Sequence, residues 1–221
     1  MSYSDDTLAE MHLHEYLVTL SRMVDDALKI FSDAVTHLEN DDVDYQRIHS
    51  RIMEPKKRVE ENRSLFMEYL IRLGEGLPNR QQYANIALGY ERFVQLLDGT
   101  VYRLTLLKNR GYRIDGEVIK LISELASTIK TMFKSLEEGL EKLKTDPKKT
   151  LAKINEITRS ENKADELYRE LTFAIYTKFA DRIVLLMVMR DAVEFMEDAC
   201  DLLKSIGEEL RYLALHRILI S

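Results

Sequence analysis

The sequence predicts an all-α protein made of two tandem three-helix bundles, six long antiparallel helices related by a degenerate internal repeat. Three observations lead there. The 221 residues include only three prolines, eight glycines and no tryptophan, which suits long helices better than a turn-rich β fold. Apolar residues recur at i, i+3, i+4 and i+7 along most of the chain, the rhythm of a helix with one buried face. The pattern of the first half also returns in the second. A shift of 98 residues lays Ala27 on Leu125, Phe31 on Ile129 and Val35 on Phe133, and a shift of 100 lays Glu61 on Glu161 and Asp98 on Asp198.

The first helix carries Leu13, Leu17, Leu20, Val24, Ala27, Phe31 and Leu38 on one stripe, and Asn40, Asp41 and Asp42 break it with turn-favouring side chains. A second helix spans about 44–73 and stops at GEGLP, 74–78, with a kink or a later start expected at Pro55. The third begins near Pro78, since proline is tolerated at the first helical position, and ends at 109–111 with Gly111 as C′ residue. The segment GYRIDGE, 111–117, separates the halves, giving repeats at 1–112 and 113–221, and Asp115 is placed to cap the fourth helix. That helix shows the clearest stripe, from Val118 through Leu125, Ile129 and Phe133 to Leu143. Asp146 and Pro147 then supply an N-cap and a first residue for helix five. Between there and Leu213 neither glycine nor proline intervenes before Gly207. One helix of that length is rare, so a break is expected at 177–182.

Composition excludes several functions. A net charge of −6 argues against nucleic-acid partners. The single Cys200 allows neither an internal disulfide nor a cysteine zinc cluster and suggests a reducing compartment. The polar start MSYSDDTLAEM is no signal peptide, and the longest apolar run, 183–189, falls far short of the ~20 residues that span a bilayer. No glutamate is followed by histidine three residues on, as a ferritin-like di-iron site would need. Phosphate-binding loops and Gly-x-Ser-x-Gly elbows are missing too. His12 and His14 read as surface histidines. Tyr83, Tyr90, Arg92, Tyr102, Arg103 and Arg110 read as rim residues of helix three.

The chemistry lies in the carboxylates of the second half. Glu161 and Asp165, in ENKAD, stand one turn apart on helix five beside its apolar stripe. In DAVEFMEDACD, Asp191, Glu194, Asp198 and Asp201 form a strip on helix six away from Met189, Val193, Met196, Cys200 and Leu203. Such strips usually face water. This one holds a single cation, Arg190, and sets like charges one turn apart, a repulsion that a bound cation would relieve. All-oxygen ligand sets suit hard or borderline ions.

These residues also resemble a known family, the PhoU-like regulators of phosphate uptake. The likeness is closest in VEFMEDACDLLKSI, 193–206, and in ENKADELYRELT, 161–172. The stretch FADRIVLLMVMRDAVEFMED, 179–198, is similar to the branch often associated with low-affinity phosphate permeases. The resemblance implies a cytoplasmic protein without catalytic activity, which regulates phosphate transport by acting on a membrane phosphate transporter or its sensor kinase. Membrane contact would come only through that partner, and homodimerisation stays open. It also implies a metal (iron, Mg, Mn, Zn or Ca) on Glu161, Asp165, Glu194 and Asp198. The spacing adds Asp191 and Asp201. The first half departs from the pattern: Leu65 follows Glu61 and Val94 precedes Asp98 where acids are expected, so no second cluster is expected there. Two other readings remain, a metal-dependent hydrolase or oxidase using the same carboxylates, and a purely structural helical interaction protein without metal.

Overall fold

In the computed structural model six helices follow one another: α1 Tyr3–Thr36, α2 Tyr45–Leu73, α3 Arg80–Asn109, α4 Gly116–Lys142, α5 Pro147–Lys178 and α6 Ile183–Ile220. Residues 3–74 and 76–220 are described. Met1 and Ser2 of the polar start, Glu75 of the GEGLP turn and Ser221 of the apolar tail lie outside the described residues.

Local chemistry explains most boundaries. Asp44, Asp115 and Asp146 each accept a hydrogen bond from a first-turn amide, of Arg47, Glu117 and Lys149, satisfying an otherwise orphaned donor; each such cap stabilises by about 1 kcal/mol. At the end of α3, Gly111 adopts φ 71, and the amides of Gly111 and Tyr112 return to the carbonyls of Lys108 and Leu107, the paired bonds of a Schellman stop. The α5–α6 break falls at 179–182, inside the expected window. The helix α2 runs through Pro55, whose ring is buried. The start of α3 differs from expectation. Asn79, in the left-handed conformation at φ 58, takes the N-cap position, so the helix begins at Arg80 and Pro78 stays outside it. The side-chain amide of Asn79 lies 2.9 Å from His216 Nδ1 of α6, a tertiary contact that holds this bend.

Helices α1–α3 pack on one another, as do α4–α6, and the halves join where α3 lies on α6 and α1 on α4. The buried apolar residues form one continuous core. Because α3 touches α1, α2 and α6, Tyr83 and Tyr90 are core residues at 1 % and 0 % exposure, not rim residues as the sequence suggested. His14 is likewise buried, with Nε2 2.8 Å from the carbonyl of Leu140 in α4. Burial pushes the pKa of its imidazole down, against the pull of that hydrogen bond.

The burial pattern sets the repeat register. Leu13 and Val118, Ala27 and Met132, Leu38 and Leu143, Ile52 and Ile157, and Phe66 and Leu171 are buried pairs, each 105 residues apart. The hydroxyls of Tyr45 and Thr150, also 105 apart, donate to the carbonyls of Ala34 and Gly139 in the preceding helix. One further residue separates α3 from α6, so that Phe93 corresponds to Ala199 and Leu97 to Leu203. The shift of 98 read from the stripes falls one heptad short. Two helical turns reproduce the same face, so stripe matching alone cannot distinguish the two.

Candidate metal centre

The two helices of the α5–α6 hairpin bring Glu161, Asp165 and Asp201 together, with one carboxylate oxygen from each lying within 4.8 Å of the others. Glu161 anchors the group. It belongs to the buried face of α5 with Ile154, Ile157 and Ala164, and is 5 % exposed. Its Oε1 accepts a hydrogen bond from Lys204 Nζ of α6 at 2.7 Å, and its Oε2 is buried with no partner. A buried, orphaned carboxylate oxygen is costly, and a cation would satisfy it. Asp165 is half-buried, with Arg169 3.6 Å away and largely in solvent. The pKa of Asp201 is raised, first by burial and then by Glu161 and Asp165.

Glu197, which the sequence did not single out, belongs to this neighbourhood. Burial first, then Asp201, Asp198, Asp165 and Glu194, push its pKa up to about 7. Its position one turn before Asp201, on the side of α6 that carries Lys204, is the signal that could have found it.

The other expected ligands lie apart from the trio. Asp191 faces α3, with its Oδ2 3.8 Å from Arg103 Nε. Glu194 pairs with Arg190 of its own helix at 3.5 Å. Asp198 is half-buried and outside the trio, though its charge helps to raise the pKa of both Asp201 and Glu197. The physical reason is that α6 is flanked by both α3 and α5. Residues 191 and 197 stand about 120° apart around a helix, so a strip that looks continuous in sequence divides between two neighbours.

The donor set fits a hard cation: three carboxylates with no histidine or thiol among them. Zinc, which favours nitrogen and sulfur, suits it least. The Cys200 thiol is buried and its pKa raised by burial and by the nearby carboxylates, which keeps it protonated.

At the corresponding place in the first half, the α2–α3 hairpin holds Lys56 Nζ 2.8 Å from Asp98 Oδ2, with His49 Nε2 3.1 Å from Oδ1. Arg63 makes a two-pronged contact with Glu91 nearby, at 2.6 and 2.9 Å. Among the described residues no other cluster of potential ligands forms. In the repeat register Lys56 corresponds to Glu161 and Asp98 to Lys204. One ion pair is kept in both halves with its direction reversed.

A six-helix, two-repeat bundle of this kind has known counterparts. The structure superposes on PhoU from Pseudomonas aeruginosa with a TM-score of 0.78 at 14% identity, covering 95% of this chain and 99% of that one. It matches a putative PhoU-like phosphate regulatory protein from Shewanella oneidensis MR-1 with a TM-score of 0.65 at 14% identity, over 93% and 99% of the two chains. A further PhoU-like protein of that organism matches at 0.63 and 13% identity, over 92% and 96%. No family model and no curated sequence matches the chain. The chain has the PhoU fold over nearly its whole length, as the sequence motifs implied. Among the described residues no helix is long and apolar enough to cross a membrane.

Proposed function

We propose that this chain is a non-enzymatic, cytoplasmic regulator or accessory protein of phosphate transport. It acts by docking on a membrane phosphate transporter or its sensor kinase, and residues 1–112 and 113–221 serve as two copies of one structural unit. The observation that carries this reading is the end-to-end likeness to PhoU and to a protein described as a phosphate regulator, at 93–95% coverage of this chain. Glu161, Asp165 and Asp201 would hold one divalent or trivalent cation, with Glu197 beside them. Bound there, the ion would supply positive charge that links α5 to α6. The orphaned Oε2 of Glu161 supports this assignment.

Two measurements test the reading. Affinity capture from membranes of cells grown at low and at high phosphate should recover a phosphate transporter or sensor component; recovery of neither in both conditions rejects the regulatory role. Elemental analysis of untagged protein should find about one equivalent of metal, absent from Glu161→Gln. A metal content that this substitution leaves unchanged rejects the site.

A further inference from the structure

We infer that Lys204 is the resident counter-ion of the α5–α6 carboxylate cluster, and that a divalent cation binds there by displacing its ammonium from Glu161. This rests on the reading of the cluster as a cation site. Three observations support it.

The first is the split state of Glu161. One oxygen is held by Lys204 at 2.7 Å while the other, buried, has nothing to accept. Lys204 therefore satisfies only part of the anion it faces. The second is charge. Glu161, Asp165 and Asp201 carry three negative charges against the Lys204 ammonium on Glu161 and the largely exposed Arg169 beside Asp165, so the cluster keeps a net negative charge. An ion held by all three carboxylates would stand next to that ammonium, and the two cations repel strongly in a half-buried site. Lys204 has somewhere to go: its side chain is 41% exposed, so the flexible stem can carry the charge into water without unpacking the core.

The third is the contrast with the first half. There, in the reversed pair of Lys56 with Asp98, the lysine is more enclosed, at 24% exposure against 41% for Lys204, and His49 caps the remaining oxygen. Gln95 occupies the place that corresponds to Asp201, so one lysine meets one aspartate and nothing is left over. The closed pair shows what a lysine does when it fully balances its partner, and Lys204 does not.

Calorimetric titration of metal-free protein with Mn²⁺ tests the inference. Lys204→Met should bind Mn²⁺ about tenfold tighter than wild type, the effect of removing one competing charge. Lys204→Arg, which keeps the charge, should bind like wild type, and Glu161→Gln should not bind. Lys56→Met should leave the titration unchanged. Lys204→Gln retains a donor without the charge and replaces the Met variant if that one does not fold. Equal or weaker Mn²⁺ binding by the uncharged variants, with binding still lost in Glu161→Gln, overturns the role of Lys204 and leaves the cation site standing. Mn²⁺ binding in none of the proteins overturns both.

Discussion

Gly89 of α3 lies against Ile206 of α6 so closely that a Cβ on the glycine would stand 2.6 Å from Ile206 Cγ1 and 2.8 Å from Cδ1. Ile206 is 2 % exposed, and both its Cγ1 and its terminal Cδ1 would have to shift. Alanine in place of helical glycine normally gains up to about 1 kcal/mol in propensity. Here Gly89→Ala is expected to cost about 2 kcal/mol net, because overpacking prevails. Gly99, which meets the Phe195 ring in the same seam, should be more tolerant. That ring is only half-buried and can rotate, giving up the stacking of Arg103 4.0 Å above it. Urea denaturation of both variants checks the order, and a Gly89→Ala protein as stable as wild type contradicts it.

Glu137, where α4 meets α1, predicts a pH dependence. Burial first, then Asp25, raise its pKa to about 7; Glu141 adds to this, while Ser21 and Lys29 oppose it. The folded value lies above the unfolded one, so the native state holds this proton more tightly. Its contribution is complete below the ordinary glutamate range and is lost as pH rises through about 7. Glu137→Gln should therefore be more stable than wild type at pH 8, by about 1–2 kcal/mol after allowance for partial exposure, and nearly equal at pH 5. Glu197, shifted the same way, keeps part of the slope in the variant. A gain at pH 5 as large as at pH 8 would sink the assignment.

The hydroxyl of Tyr90 is buried in α3 without a hydrogen-bond partner, while its ring packs edge-on to Phe133 at 6.3 Å. Tyr90→Phe keeps the ring contact and removes the unsatisfied group. It should stabilise the protein by about 1 kcal/mol, read as a rise of roughly 2–4 °C in Tm. A lower Tm would mean that the hydroxyl has a partner.

Asp98 makes both contacts of the closed ion pair in the first half. Asp98→Asn should cost about 1–2 kcal/mol at pH 7, since it leaves Lys56 without its partner in a part-buried place. Combining it with Lys56→Met should restore part of the loss, and a double-mutant cycle measures the coupling. Strict additivity of the two losses would show that the pair carries no stability.

Features set by a few neighbouring residues were legible in the sequence. The caps at Asp115 and Asp146, the glycine stop at Gly111 and the stripe of α4 all depend on local rules, and the structure has them as expected. What escaped depends on distant partners. Asn79 delays α3 because His216, 137 residues away, meets its side chain. His14 is buried because a carbonyl of α4 lies over it. The same distinction governs the site. Glu161 and Asp165 were found from their spacing on one helix. Of the four acids picked on α6 only Asp201 joins them, because which acid faces α5 depends on how α6 sits between two neighbours.

The α3–α6 seam runs the length of the molecule, from Asn79 and His216 at one end, past Gly89 and Ile206, to Arg103 and Asp191 at the other. Neither repeat can open without exposing the apolar face of the other, so the pair unfolds as one cooperative unit. Heating should give a single transition, and the amide protons of α3 and α6 should be the last to exchange, at a common rate.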